Sequence, residues 1–182
     1  RTRGTPQGGV ISPLLMNLFL HYAFDRWMSV EYPNCPFARY ADDAVVHCRT
    51  HEEAMELLNA IATRLKDCKL AMHPDKSKVV YCKDSKRRRD HEHVQFTFLG
   101  FTFRPRCAKG WGGQLFTSFL PAVSVEAMKQ MRKVIRSWKL HRRTSRELHE
   151  LARSVNPVLQ GWWNYYGSFY PSALRDVFSY FD

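Results

Sequence analysis

The chain lacks the marks of several broad protein classes. No CxxC pair occurs among its cysteines, Cys35, Cys48, Cys68, Cys82 and Cys107. Odd in number and scattered, they offer neither a disulfide framework nor a zinc knuckle, and they suit a reducing compartment. The longest apolar stretch, around Pro13 to Leu20, is far short of the roughly 20 residues that cross a bilayer. No signal peptide opens the chain, so membrane insertion and secretion are set aside and an intracellular location is expected. There is no internal repeat and no initiator methionine, and the first residues fall inside a loop, so the sequence is expected to be a piece of a longer protein. Acidic residues are scarce: 17 Asp and Glu face 28 Lys and Arg, a net charge of +11. That excess draws polyanions such as nucleic acid or an anionic surface. With 182 residues, 45% of them hydrophobic, the chain buries about 70% of its unfolded surface, which argues against wholesale disorder.

What is present reads as helices alternating with short strands. Ser12 as N-cap, Pro13 in the first helical position and Leu15, Leu18, Phe19, Tyr22 and Trp27 at three- and four-residue spacing predict a helix over about 12–30. Pro33-Asn34-Cys35-Pro36 breaks it. Phe37–Tyr40 and Ala44–Cys48 predict two strands of a hairpin with Asp42 and Asp43 at its tip. Thr50 with Glu53 is a capping box, and the spacing of Ala54, Leu57, Leu58, Ile61 and Leu65 carries a helix to about Lys69. Val79–Cys82 predicts a strand, Lys83–His93 an exposed loop, and Val94–Arg104 a strand with alternating Phe96, Phe98 and Phe103. A further hairpin closes through Gly110-Trp111-Gly112-Gly113. The order predicts an α+β fold, an antiparallel sheet with helices on one face, over residues 1–120.

From Pro121 strand signals cease, and Val125, Met128, Met131, Ile135 and Trp138 recur at helical spacing, so an all-α module is expected over 121–182. If its first helix persists, Arg132, Arg136, Lys139, Arg143 and Arg146 align in one basic stripe. Helices at about 145–154 and 156–166 follow, ending in Trp162, Trp163, Tyr165, Tyr166, Phe169 and Tyr170. Trp162 and Tyr166 are expected to pack between helices.

Two adjacent carboxylates flanked by β-formers repel one another unless a cation lies between them. A hard divalent ion, Mg²⁺ with Mn²⁺ as the alternative, takes such oxygen ligands and supports phosphoryl transfer. Taken alone, Asp42-Asp43 would pass as ordinary turn chemistry. Context changes the weighing, because Arg3 to Leu15 sets a glycine-bearing loop directly before a helix, where backbone N–H groups can approach phosphate or sugar. The spacings of His47, Cys48 and His51, and of His91 and His93, match no zinc pattern, and a metal reading is rejected for them. Lys86-Arg87-Arg88-Arg89 is, beside the basic stripe, a second candidate polyanion contact, with a charged loop as the plainer account.

In this order the Gln7 loop, the Tyr40-Ala41-Asp42-Asp43 hairpin and the Phe98-Leu99-Gly100-Phe101 turn resemble the palm of reverse transcriptases, most closely the group II intron reverse transcriptase/maturase family. The likeness spans about residues 1–103, and Gln160-Gly161-Trp162-Trp163-Asn164-Tyr165-Tyr166 resembles that family's thumb, or maturase domain. The resemblance implies an RNA-directed DNA polymerase that also helps its intron RNA fold and splice, in the bacterial cytoplasm. Its partners would be intron RNA, an RNA template, a DNA primer and dNTP; a homodimer is left open. Asp42 would be a direct metal ligand, with Asp43 a ligand or its support. Pro6, Gln7, Gly8 and Gly9 would line the nucleotide pocket. His73-Pro74-Asp75-Lys76-Ser77-Lys78 resembles a later palm motif whose lysine protonates the leaving pyrophosphate, and Lys76 and Lys78 are both candidates. Leu99, Gly100 and Phe101 would grip the primer, and the basic stripe would track RNA phosphates. The family supplies a third palm carboxylate upstream of the Gln7 loop, so these residues alone are expected to be inactive. A non-catalytic RNA-binding maturase is the alternative, and a plain interaction module the third reading.

Overall fold

The structure is a computed structural model that describes residues 8–143, 145 and 147–179. Its chain divides into two compact units, Arg1–Val79 and Val80–Asp182.

The first unit begins with a turn in which the Ser12 N–H donates to the Gly9 carbonyl at 3.1 Å. That turn delivers the chain into helix α1 one residue earlier than the capping signal implies. Ser12 is already helical, and Ile11 (φ −84°, ψ −14°) occupies the cap. The helical run continues as α1 (Ser12–Leu20), a π-turn over His21–Asp25, and α2 (Arg26–Glu31). Strands β1 (Phe37–Tyr40) and β2 (Asp43–Val46) pair antiparallel, Phe37 facing Val46 and Tyr40 facing Asp43. The turn is therefore only Ala41-Asp42, and Asp43 opens a strand instead of sitting in the bend. Helix α3 (His51–Asp67) starts as its capping box predicts, with Thr50 Oγ1 accepting from the Glu53 N–H at 3.1 Å.

Strand periodicity sorts the hairpin into two faces. Phe37 and Val46 pack against a core of Phe24, Met28, Cys35, Leu57 and Ile61, and the Phe24 and Phe37 rings meet edge to face at 5.4 Å. Each fully buried side chain of the Met28 or Leu57 kind contributes about 1.5–3 kcal/mol. Ala38, Tyr40 and Asp43 fall on the opposite, exposed face.

The second unit holds a separate three-stranded antiparallel sheet ordered β3-β4-β5, so the single expected sheet is two. Val79–Cys82 forms no strand; one hydrogen bond, Tyr81 N–H to the His93 carbonyl at 2.8 Å, stands where a ladder was expected. The expected strand over 94–104 is a hairpin instead: β3 (Phe96–Phe98) turns at Leu99-Gly100 into β4 (Phe101–Lys109). Strand β5 (Leu115–Val123) pairs with β4 along its whole length, through the glycine turn that the sequence marks. Pro121, read above as the start of the helical module, lies within β5, an edge strand where proline is tolerated.

Helix α4 (Val125–Trp138) starts at Ser124, whose Oγ accepts from the Ala127 N–H at 3.0 Å. Helix α5 (Leu148–Tyr166) runs unbroken through Pro157, where two helices were expected. A 3₁₀ turn at Pro171–Leu174 and the short α6 (Arg175–Phe178) follow. Val123, Met131, Ile135, Leu174 and Val177 form the core of this unit, with Trp162 and Tyr166 packed against it as expected. Among the described residues, no helix is long and apolar enough to cross a membrane.

Candidate functional site

The hairpin tip presents two exposed carboxylates, Asp42 in the turn and Asp43 at the start of β2. Neither makes a hydrogen bond or an ion pair with the described residues. Side-chain alternation puts Asp43 beside Tyr40, which is 65% exposed, on the face turned away from the helices. A pair of adjacent, unpartnered oxygen donors on a rigid ladder is a donor set that a hard divalent cation accepts.

What holds this tip is a residue that the sequence reading missed. Arg39 shares the inward phase of Phe37, and its side chain is only 11% exposed. Its guanidinium donates from Nε to Asp25 Oδ1 and from Nη2 to Asp25 Oδ2, both at 2.6 Å. Nη1 donates to Asn17 Oδ1 at 3.0 Å and to the carbonyl of Ala41 at 2.7 Å. The last bond matters, because Ala41 has φ 53°, a left-handed conformation costly for any residue with a Cβ. Arg39 thus ties the strained turn to the helices beneath it. The fork–fork hydrogen bonds of Arg39, more than its charge, lower the Asp25 pKa, and the same bonds raise that of Arg39. The missed signal was an arginine in phase with core residues, which demands a buried anion.

Of the proposed nucleotide loop, Pro6 and Gln7 lie outside the described residues. Gly8 takes φ 84° with open space where a Cβ would be, and Gly9 supplies the carbonyl of the turn into α1. His73 and Ser77 close a hydrogen-bonded turn, Ser77 N–H to His73 carbonyl at 3.0 Å. Lys76 and Lys78 flank Ser77, both exposed and without an ion pair among the described residues.

In the second unit, Leu99 (φ 51°) and Gly100 (φ 78°) form a two-residue turn that α5 clamps. Tyr165 Oη donates to the Leu99 carbonyl at 2.9 Å, and the Ser124 N–H donates to the Gly100 carbonyl at 2.8 Å. A Cβ on Gly100 would come within 2.6 Å of Tyr166 Oη. Phe101 is buried beneath the Tyr165, Tyr166 and Phe169 rings, with centroids 5.1–5.5 Å away. The close approach that Gly100 permits is made here by Tyr166.

The basic stripe does not form as one helical row. Trp138 stacks on Trp162 at 6.1 Å, and Lys139 then takes a left-handed conformation (φ 48°, ψ 44°) that ends α4. Arg132 and Arg136 stay on the helix, Lys139 caps it, Arg143 follows a 3₁₀ turn, and Arg146 lies outside the described residues. Within Lys86–Arg89, Arg87 is paired with Asp84 at 2.7 Å. The second unit also carries an open groove of about 1580 Å³, lined in part by Lys109, Arg153, Trp163, Phe169, Tyr170 and Arg175. Such cation-plus-aromatic surfaces suit single-stranded nucleic acid, and the sequence reading did not assemble it because its residues come from distant segments.

Residues 1–103 match the family described as reverse transcriptase (RNA-dependent DNA polymerase). Residues 128–181 match the family described as group II intron, maturase-specific domain. A comparison with curated proteins finds no match.

Proposed function

The chain belongs to the reverse transcriptase family, in the group II intron branch that carries a maturase-specific domain, and from that membership we propose that Asp42 and Asp43 are metal-binding carboxylates of an RNA-copying polymerase. The observation that carries this reading is the exposed aspartate pair, unpartnered among the described residues, at the tip of a hairpin whose turn is tied down by Arg39. The donor set fits Mg²⁺, with Mn²⁺ the alternative. Bound there, the ion would lower the pKa of the primer 3′-OH and neutralise charge on the transferring phosphate.

The chain's own residues then do the positioning. Gly8 and Gly9, with Pro6 and Gln7, bring backbone toward the incoming dNTP and the template base. Lys76 or Lys78 delivers a proton to the leaving pyrophosphate. The Leu99-Gly100-Phe101 turn, fixed by Tyr165 and Tyr166, sets the primer strand. The palm takes residues 1–120 and the thumb residues 121–182, with strand β5 running on to Val123 before α4 begins. The α4 cations and the groove bind intron RNA and template, which serves splicing as well as copying.

The test is primer extension on an RNA template by the complete polypeptide that carries these residues, since the family places a third carboxylate before the Gln7 loop. Asp42→Asn is expected to lower extension more than about 100-fold, beyond what outer partners of a metal cost, while RNA binding stays within twofold. Undiminished extension would remove Asp42 from catalysis. Loss of extension without loss of assisted splicing would separate the two activities and place splicing on the second unit.

A further inference from the structure

The β1–β2 hairpin keeps its register beyond the last ladder pair. Phe37 faces Val46, and the His47 N–H donates to the Pro36 carbonyl at 2.8 Å. The next facing pair is therefore Cys35 and Cys48. Glu53, in the first turn of α3, meets them from a third side. Cys35 Sγ lies 3.5 Å from Glu53 Oε1, and the two sulfurs and a carboxylate oxygen all lie within 4.8 Å of one another. Among the described residues, this is the one place where three such donors converge.

We propose that Cys35, Cys48 and Glu53 bind one Zn²⁺ ion at the base of the hairpin, apart from the aspartate tip. Tetrahedral zinc with bonds of about 2.3 Å to sulfur and 2.0–2.2 Å to carboxylate oxygen needs sulfur–oxygen separations of roughly 3.5–3.7 Å. The Cys35–Glu53 distance of 3.5 Å already meets that requirement. Glu53 is also aimed: its Oε2 accepts from the Arg49 N–H at 2.6 Å, which turns Oε1 toward the sulfurs. The Arg49 hydrogen bond is the main cause lowering the Glu53 pKa, so the carboxylate is presented ionised.

Burial raises the Cys35 pKa and pushes Cys48 up to about 11, so both thiols are protonated without metal. Uptake at neutral pH forms two Zn–S bonds and one Zn–O bond and releases the two thiol protons to solvent. Three protein ligands leave the fourth position to water. Thiolates favour Zn²⁺ over Mg²⁺, so the ion would not compete for Asp42 and Asp43. It would join the segment before β1, the segment after β2 and the start of α3, stiffening the ladder that carries the tip.

The chain, reduced and stripped with chelator, is titrated with Co²⁺ as a spectroscopic probe and then with Zn²⁺. One equivalent of Co²⁺ should give a thiolate charge-transfer absorption that Zn²⁺ bleaches, with two protons released per Zn²⁺. The absorption should persist in the Cys68→Ser/Cys82→Ser/Cys107→Ser variant, vanish in Cys35→Ser and in Cys48→Ser, and Glu53→Gln should weaken Zn²⁺ binding at least tenfold. No metal uptake by the triple-serine variant would overturn the site whether or not the other variants fold. So would an absorption that survives loss of both Cys35 and Cys48, or a Cys35–Cys48 disulfide forming in place of metal uptake.

Discussion

Arg39 and Asp25 meet through two parallel hydrogen bonds of 2.6 Å, and the same guanidinium holds the carbonyl of Ala41. One side chain thereby couples the π-turn between α1 and α2 to the backbone that presents Asp42 and Asp43. Lysine carries the charge but not the fork. Arg39→Lys is expected to destabilise the protein by about 1–2 kcal/mol. In primer extension it should lower kcat about tenfold with KM for dNTP nearly unchanged, because the tip loses its aim while the nucleotide loop is untouched. An unaltered kcat would confine Arg39 to a structural role.

Acid should weaken this link in a defined direction. The pKa of Asp25 is depressed below the ordinary value of 3.8, chiefly by its hydrogen bonds to Arg39. A depressed folded-state pKa contributes stability that is complete above the unfolded value and disappears as pH falls through the folded one. The denaturant midpoint of the wild type should therefore fall between neutrality and about pH 3 more steeply than that of Asp25→Asn, which starts lower. Parallel pH profiles for the two proteins would refute the assignment.

Gly100 is constrained twice, by φ 78° and by the Tyr166 hydroxyl beside its missing side chain. Gly100→Ala should cost about 1–3 kcal/mol, seen as a lower thermal midpoint. Placing the same change in a Tyr166→Phe background should recover part of the loss, since the oxygen is gone but the backbone conformation is not. Full additivity of the two changes would mean that Tyr166 does not define the turn.

The groove of the second unit makes a salt-dependence prediction. Arg153→Glu and Arg175→Glu should each flatten the log–log dependence of RNA affinity on salt by about 0.7–0.9. Trp163→Ala should cost about 1–3 kcal/mol of single-strand binding and leave the slope alone. If Arg136→Glu changes the slope while Arg153→Glu does not, the contact lies on α4 and the groove is not used.

Local chemistry made much of this legible. Thr50 with Glu53, Asp42-Asp43 between β-formers and the glycines after Lys109 each act within a few residues, and each element stands where its signal lies. The Phe98–Phe101 turn is legible as a motif, and the phase shift around it marks the hairpin where one strand over 94–104 is expected: Phe96 and Phe98 alternate in one phase, Phe101 and Phe103 in the other, and Leu99-Gly100 sits at the shift. Pro157 misled in the opposite way, because packing of α5 offsets the hydrogen bond that proline removes. The end of α4 carries no glycine or proline; it is set where Trp138 meets Trp162, a contact no local window contains. The approach of Cys35, Cys48 and Glu53 depends on strand register and a helix start together, and spacing rules see neither.

The π-turn at His21–Asp25 gives the helical run an indexing function. In an uninterrupted α-helix, residues eight apart fall about 80° out of alignment. A wider turn absorbs that lag, so Asn17 and Asp25 come round to the same side and both reach Arg39. Removing one residue from this turn would leave the two side chains seven apart in a regular helix, still within about 20° of one face, whereas adding one regular helical residue would swing Asn17 away from Arg39 without touching any charged group, so the length of the turn, and not only its chemistry, is under constraint.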